Sequence, residues 1–287
     1  MTESTHPMRL GYNTNGLAHH RLLDAIDLVG DLGYQSVAIT LDAGALDPYQ
    51  DRDALDREIR LVRSALDRRG LARVVETGAR YLLNPRKKHD PTLLDPDLVR
   101  RGIRQDFLRR SMAIARDLGA ECVSLWSGQP PADVAGEVAL ERLAVALGPL
   151  LADAERYQTP LAFEPEPGML IDTLESFRAL DERIAHPLFQ LTIDLGHVHC
   201  LREGLWDQVL PPWRDRVLNM HVEDMVEDVH EHLMFGEGTM DFRTLFNAIR
   251  SMGYSRGIHV ELSRHSHAGV EAATTAARFL NTLAHQD

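Results

Sequence analysis

Four apolar segments in the second half of the chain each end in an ionisable side chain. The segments lie far apart in the sequence and are separated by stretches with helical periodicity. Carboxylates and imidazoles are the groups with which proteins bind divalent cations and transfer protons. The four residues are Glu164, Asp194, His221 and Glu261.

These four side chains predict a metal site if the segments that carry them converge. Three carboxylates in close proximity would repel one another and raise each other's pKa, and a divalent cation removes that cost. Three carboxylates and one imidazole suit Mn²⁺, Mg²⁺, Co²⁺ or Zn²⁺ and leave coordination positions open for substrate oxygens. The alternative interpretation is that the four residues lie at a rim in unrelated salt bridges.

Eight short segments of nearly continuous apolar sequence alternate along the chain with longer amphipathic stretches. Continuous apolar runs of this length are typical of parallel strands that are covered on both faces. The predicted strands are Leu10–Thr14, Ser36–Leu41, Ala72–Thr77, Cys122–Ser127, Pro160–Pro165, Phe189–Leu195, Val217–Val222 and Gly257–Leu262.

The amphipathic stretches between the strands predict helices. The main ones are Arg21–Leu32, Leu55–Arg69, Leu98–Leu118, Ala135–Tyr157, Leu174–Arg183, Phe242–Met252 and Val270–Leu283. A closed barrel places the carboxyl ends of all its strands at one face, whereas an open sheet separates the outer strands. We therefore predict an α/β fold, a (β/α)8 TIM barrel. A single domain is expected over residues 1–287, with residues 1–7 as a flexible tail.

Composition excludes some classes of function. The net charge is −12, whereas nucleic-acid-binding proteins usually carry a basic surface. No stretch approaches the roughly 20 apolar residues that span a membrane, and the start of the chain lacks the apolar core of a signal peptide. Cys122 and Cys200 are too few for a disulfide framework. We expect a cytoplasmic enzyme without nucleic-acid or membrane partners.

The spacing of these residues resembles the xylose-isomerase-like TIM-barrel superfamily. The resemblance is carried by Glu164, by Asp194-x-x-His197, by His221-x-x-Asp224 and by Glu261, and a glycine-containing segment follows at residues 232–242. That superfamily includes ketose 3-epimerases, inosose isomerases and dehydratases, hydroxypyruvate isomerase and endonuclease IV. The resemblance implies that Glu164, Asp194, His221 and Glu261 bind one divalent ion, and that relatives are often dimers or tetramers.

Further residues are candidates for substrate binding. The resemblance implies that His197 contacts a substrate oxygen, and His230 and His232 are expected to contact substrate. A second metal at His230 and His232 is the alternative, but Trp126 stands where the endonuclease branch has a histidine. The remaining candidates, Glu166, Arg264 and Trp126, follow strand ends, and each could equally be an ordinary loop or rim residue.

The predicted function is isomerisation or epimerisation of a small sugar, keto-sugar or keto-polyol. The metal would stabilise an enediolate, and the resemblance implies that Glu164 and Glu261 transfer protons; a metal-assisted hydride shift stays open. The alternatives are a lyase or dehydratase that acts on a keto-sugar or keto-inositol, an endonuclease IV-like hydrolase and a non-catalytic binding module.

Overall fold

All eight predicted strands are present in a computed structural model that describes residues 8–130, 132 and 134–284. The predicted tail, residues 1–7, lies outside these residues. The strands are β1 (Arg9–Asn13), β2 (Ser36–Thr40), β3 (Ala72–Glu76), β4 (Val123–Leu125), β5 (Leu161–Phe163), β6 (Phe189–Asp194), β7 (Val217–Val222) and β10 (Gly257–Val260). They hydrogen bond in the order β1-β10-β7-β6-β5-β4-β3-β2, and the sheet closes as a barrel.

The strands pair in parallel and are buried, as their apolar sequences predict. All five residues of β2 are buried, and β1 pairs with both β2 and β10. In a closed parallel barrel, one face of each strand packs into the interior and the other packs against helices. The continuous apolar runs follow from this arrangement because neither face of a strand meets water.

Helices follow the strands. They are α1 (Leu22–Asp31), α2 (Arg52–Arg69), α3 (Leu98–Leu118), α4 (Gly136–Tyr157), α5 (Leu174–Ile184), α6 (Leu195–Cys200), α7 (Trp206–Val209), α8 (Phe242–Ser251) and α9 (Gly269–Ala284). Gly119 ends α3 with a φ of 70°, a left-handed cap conformation that glycine adopts without strain.

The first of two compact units comprises Met1–Ala38, Ala65–Arg73 and Ile193–Asp287. It contains a cluster of three phenylalanine rings, of which the buried Phe235 and the half-buried Phe279 stack with centroids 5.0 Å apart. Phe242 meets both of them edge to face. This cluster packs the end of the segment after β7 against α8 and α9.

The second compact unit comprises Ile39–Ser64 and Val74–Thr192. Its core includes Phe163, Phe177 and Phe189, whose ring centroids lie 5.6 to 6.2 Å apart. These rings join β5 and the start of β6 to α5, and such aromatic pairs stabilise a core beyond the area that they bury.

Two elements were missing from the sequence-based prediction. The polar segment after β7, for which no strand was predicted, forms an antiparallel hairpin of β8 (Asp224–Val226) and β9 (Val229–Leu233). In addition, α6 begins directly after β6, where the sequence predicted a turn. Among the described residues, no helix is both long and apolar enough to cross a membrane.

Candidate metal centre

Three of the four predicted metal ligands lie together in the first unit. Asp194 ends β6, His221 lies in β7, and Glu261 directly follows β10. The imidazole Nδ1 of His221 is 3.0 Å from Oε2 of Glu261 and 3.8 Å from Oδ2 of Asp194. The register of β10 against β7 pairs His259 with His221, which sets Glu261 just beyond His221 at the same strand ends.

Glu164, the fourth predicted ligand, lies in the second unit. It directly follows β5, is 7% exposed, and its backbone N–H donates to the carbonyl of Leu125 at 2.7 Å. In the pairing of β5 with β6, Phe163 is opposite Leu191. Glu164 therefore occupies a carboxyl strand end next to β6, as its sequence position predicts.

Buried carboxylate oxygens without a donor distinguish this site from a set of ordinary salt bridges. Oδ1 of Asp194 accepts the backbone N–H of His197 at 2.9 Å, whereas Oδ2 has no hydrogen-bond partner among the described residues. Both oxygens of Glu223, a residue with no exposed surface, also lack one. Unpaired buried carboxylates are costly, and a cation is the partner that this set of donor atoms fits.

The pKa values of the carboxyl groups diverge. Burial acts to raise the pKa of Asp194, but the imidazoles of His197, His232 and His221 outweigh it and hold that pKa below its ordinary value. Burial opposes ionisation of Glu261 as well, yet His221 keeps the pKa of Glu261 well below normal. These two groups are therefore carboxylates at neutral pH.

The pKa of Glu223 is shifted in the opposite direction. Burial, followed by the nearby charges of Asp194 and Glu261, raises its pKa well above the ordinary value. Glu223 therefore keeps its proton while no cation is bound, whereas Asp194 stays ionised and its Oδ2 has no donor among the described residues. On sequence alone, Glu223 and Asp224 could each orient His221 or be solvated surface acids, and the structure buries Glu223 completely.

Three histidines form a second group within the first unit. Nitrogen atoms of His197, His230 and His232 lie within 4.8 Å of one another, and the Nε2 atoms of His197 and His230 are 3.1 Å apart. Burial lowers the pKa of His197 to about 4 and also lowers the pKa of His230. These two rings are neutral at pH 7, so each can donate one hydrogen bond and accept another.

The histidine group is held to the metal-ligand group by direct contacts. Nδ1 of His232 is 3.0 Å from the carbonyl oxygen of Glu261 and 3.7 Å from a carboxylate oxygen of Glu223. His197 lies in α6 and is 4% exposed. The structure thus brings all three predicted substrate-binding histidines beside Asp194, His221 and Glu261.

Asp224 organises the segment that carries His230 and His232. Its carboxylate, 1% exposed, accepts the backbone N–H groups of Met225, Gly236, Gly238 and Met240 at 2.8 to 3.2 Å. A Cβ atom on Gly238 would overlap this carboxylate. The sequence-based reading gave Asp224 either a role in orienting His221 or an exposed position, and the structure instead shows a buried acceptor for the chain after β7.

The other predicted substrate-binding residues have different surroundings. Arg264 follows β10, forms an ion pair with Glu231, and its side chain is 58% exposed. In the second unit, the ring of Trp126 is half-buried and lies 4.9 Å from the guanidinium carbon of Arg104. Glu166 is half-buried, and its backbone N–H donates to the carbonyl of Ile171.

Several site residues carried no recognisable signal in the sequence. Nδ2 of Asn15, which follows β1, donates to Oε1 of Glu261 at 2.8 Å. Asn219 of β7 and His259 of β10 are completely buried near His221, and burial lowers the pKa of His259 to about 3. A polar residue inside an apolar strand is the only hint that the sequence offers for the last two.

Residues 26–283 match the family described as xylose isomerase-like TIM barrel. The chain belongs to this family. The match covers nearly the whole described chain and agrees with the closed eight-stranded barrel, so the predicted fold class and the resemblance are both confirmed.

Several of the proteins to which this chain is similar are named as epimerases. The chain is 24% identical over 248 residues to L-ribulose-5-phosphate 3-epimerase UlaE of Shigella flexneri, which covers 84% of this chain and 81% of that protein. A D-allulose 3-epimerase from Methylomonas sp. has 17% identity and a TM-score of 0.76, with 96% and 98% of the two chains covered.

A second similar structure, of the protein called IOLI, was determined with a bound zinc atom. It is 16% identical, covers 96% of this chain and 98% of its own, and has a TM-score of 0.76. At such identities the two structural likenesses show the fold, and the fold does not determine the reaction.

Proposed function

We propose that this member of the xylose isomerase-like family is a divalent-metal-dependent epimerase or isomerase of a small keto-sugar. The observation that carries the proposal is the grouping of Asp194, His221 and Glu261 at the ends of three strands, with a buried Asp194 oxygen that lacks a donor. The named relatives support sugar epimerisation over the lyase, hydrolase and binding-module alternatives.

Glu164 is the fourth ligand in this proposal. Its support is the burial of its side chain and its position directly after β5, beside the strand that ends at Asp194. Oxygen and nitrogen donors in this combination fit Mn²⁺, Mg²⁺, Co²⁺ or Zn²⁺. When bound, such an ion polarises a substrate carbonyl, which acidifies the hydrogen on the adjacent carbon.

Glu261 and Glu164 are the proposed proton-transfer groups. Epimerisation removes a proton from one face of a carbon and returns a proton to the opposite face, so it needs a group on each side. Glu261 is ionised, and Nδ2 of Asn15 donates to its Oε1 at 2.8 Å, a contact that does not depend on the proton of His221. This orientation suits a base that must approach a C–H bond along one direction.

The histidine group is the proposed contact for substrate hydroxyls. The Nε2 atoms of His197 and His230 lie 3.1 Å apart, and a substrate hydroxyl that replaces this contact would donate to one neutral imidazole or accept from the other. His232 lies against Glu261 and joins the hydroxyl-binding group to the proton-transfer group. We also propose that Trp126, Glu166 and Arg264 contact the substrate. A homodimer or homotetramer also remains a prediction.

The test is an exchange experiment with the purified full-length protein and Mn²⁺. Ketopentoses and ketohexoses are incubated in D₂O, and products are followed by NMR and mass spectrometry. Epimerisation with one deuterium at the inverted carbon is expected. Formation of an isomer without deuterium would replace proton transfer by a hydride shift, and loss of the mass of water would indicate a dehydratase.

Matched variants separate the proposed chemistry from general effects. Glu261→Gln keeps the shape of the side chain but removes the base, and we expect exchange to fall at least ~100-fold. Glu175→Gln, at an exposed ion pair with Arg178 on α5, should retain normal activity. Equal activity in the two variants would contradict the role of Glu261.

A further inference from the structure

A row of buried polar side chains leads away from His221 on the side opposite to the carboxylates. Asn219 Nδ2 is 3.1 Å from His221 Nε2, and Asn219 Oδ1 is 2.8 Å from His259 Nδ1. Beyond it, His259 Nε2 is 2.8 Å from the hydroxyl of Ser36. We call Asn219, His259 and Ser36 the polar row; none of the three is more than 1% exposed.

Two glycines leave the space that the polar row occupies. Gly11 pairs with His259 across β1 and β10, and Gly257 precedes His259 by two residues on the same strand. A Cβ atom at Gly11 or at Gly257 would overlap the imidazole of His259. Buried polar groups are costly unless they are hydrogen bonded, and apolar residues of the same shape could fill this space without loss of stability.

The atoms of the row define one direction of hydrogen bonding in the present structure. Asn219 Nδ2 can only donate, so Nε2 of His221 accepts and the proton of that ring lies on Nδ1, facing Glu261. Asn219 Oδ1 then accepts from Nδ1 of His259. Nε2 of His259 in turn accepts from the hydroxyl of Ser36.

A cation in the proposed site requires the opposite direction. Nδ1 of His221 faces Glu261 and Asp194, so Nδ1 is the atom available to a metal and cannot then keep its proton. A neutral imidazole that uses Nδ1 as a ligand carries its proton on Nε2. That proton needs an acceptor, and a half-turn of the Asn219 amide supplies Oδ1.

The rest of the row can follow this change without an unpaired group. Once the amide of Asn219 has turned, its Nδ2 donates to Nδ1 of His259. The proton of His259 then resides on Nε2 and is donated to the Ser36 oxygen, because a hydroxyl can donate or accept. The three hydrogen bonds that link His221, Asn219, His259 and Ser36 are kept, and only their direction is reversed.

We propose that Asn219, His259 and Ser36 are positioning residues that fix the ring of His221 and reverse their hydrogen bonds when His221 binds a divalent ion. The inference rests on the proposed metal site but not on the identity of the substrate. Partners that orient a ligating histidine typically contribute about 10- to 100-fold to metal affinity. The row would therefore contribute to metal binding without touching metal or substrate.

Two experiments with the metal-free full-length protein test the row. Titration with Co²⁺ by calorimetry is expected to show a 10- to 100-fold weaker affinity for Asn219→Leu. Asn219→Asp should bind at least as well as wild type, since a carboxylate accepts the Nε2 proton. Ser111→Ala, which removes a buried hydroxyl on α3 that donates to Phe107, is the control for general destabilisation and should not change affinity.

The second experiment reads the direction of the row in the wild-type protein and needs no variant. Two-dimensional NMR of ¹⁵N-labelled histidine should show the His259 proton moving from Nδ1 to Nε2 when Zn²⁺ is added. An unchanged tautomer of His259, or a folded Asn219→Leu protein with wild-type affinity, would overturn the proposal. Normal metal binding without epimerase activity would instead count against the proposed function and leave the row supported.

Discussion

The substitution Asp224→Asn tests how the segment after β7 is held in place. The buried carboxylate accepts four backbone N–H groups, two at each oxygen: Met225 and Met240 donate to Oδ1, whereas Gly236 and Gly238 donate to Oδ2 at 2.8 and 2.9 Å. An asparagine keeps one oxygen but replaces the other by an amide group that can only donate. Two backbone N–H groups then face the NH₂ group of the asparagine, and their two hydrogen bonds are lost.

The magnitude follows from these contacts. A hydrogen bond to a charged acceptor contributes roughly 1.5–3 kcal/mol to stability, and two are lost in the variant. Because Gly236 is exposed and Gly238 is half-buried, their N–H groups can turn toward water. We therefore expect the lower end, a decrease of about 3 kcal/mol in the free energy of unfolding. The segment carrying His230 and His232 should loosen locally.

Urea unfolding at pH 7 measures the global effect, and amide hydrogen exchange at Gly236 and Gly238 measures the local one. The matched control is Glu227→Gln on the same hairpin, because Glu227 forms only an exposed ion pair with Arg202 at 3.2 Å. That variant should stay within about 0.5 kcal/mol of wild type. If Asp224→Asn had a similarly small effect on stability and left amide exchange at both glycines unchanged, Asp224 would not be what holds this segment in place.

Further predictions concern pH and the loop after β3. The pKa values of His197 and His259 are lowered to about 4 and about 3, so below pH 6.5 the unfolded chain binds more protons than the folded one. The metal-free protein should therefore lose stability as the pH falls from about 6.5 toward 4, by up to about 1.4 kcal/mol per pH unit for each histidine. Urea unfolding at pH 7 and at pH 5 measures this loss. In His197→Gln we expect the free energy of unfolding to depend less on pH. The buried guanidinium of Arg104 donates to the carbonyls of Thr77, His89 and Pro91, so Arg104→Met should lower stability by about 3 kcal/mol and speed proteolysis within residues 78–97. Arg116→Met, at an exposed pair with Asp117, should do neither, and equal proteolysis of the two variants would contradict the role of Arg104.

The strand ends were predictable because both faces of each strand are buried. The run Leu161-Ala162-Phe163 is completely buried, and the chain becomes polar at Glu164, where the strand ends. Burial on both faces produces an apolar sequence without alternation, and the first ionisable residue then marks the carboxyl end. The same logic located Asp194 and Glu261, which is why these candidate ligands could be identified without coordinates.

The hairpin of β8 and β9 could not be predicted in the same way. Its second strand, Val229–Leu233, is exposed or half-buried and contains two histidines and a glutamate, a composition typical of a loop. What orders the segment that follows it is the carboxylate of Asp224, which binds backbone groups up to 16 residues away. Such long-range contacts leave no periodic pattern in the sequence.

The polar row escaped prediction for a related reason. Asn219 and His259 stand within otherwise apolar strands, where a single polar residue is usually an isolated exception. Their meaning depends on the pairing of His259 with His221 and on the space left by Gly11. A glycine in the middle of one strand and a histidine in another become informative only when the sheet register is known.

We propose that Glu164, Asp194, His221 and Glu261 together bind one divalent ion. Calorimetric titration of the metal-free protein with Mn²⁺ or Co²⁺ tests it most directly, with wild type compared with Glu164→Gln, Asp194→Asn, His221→Gln and Glu261→Gln. We predict one ion per chain for wild type and a large loss of affinity in each of the four variants, while Glu175→Gln binds normally. If wild type bound no ion, or if the four variants bound it with wild-type affinity, these four residues would not be the ligands of a metal site.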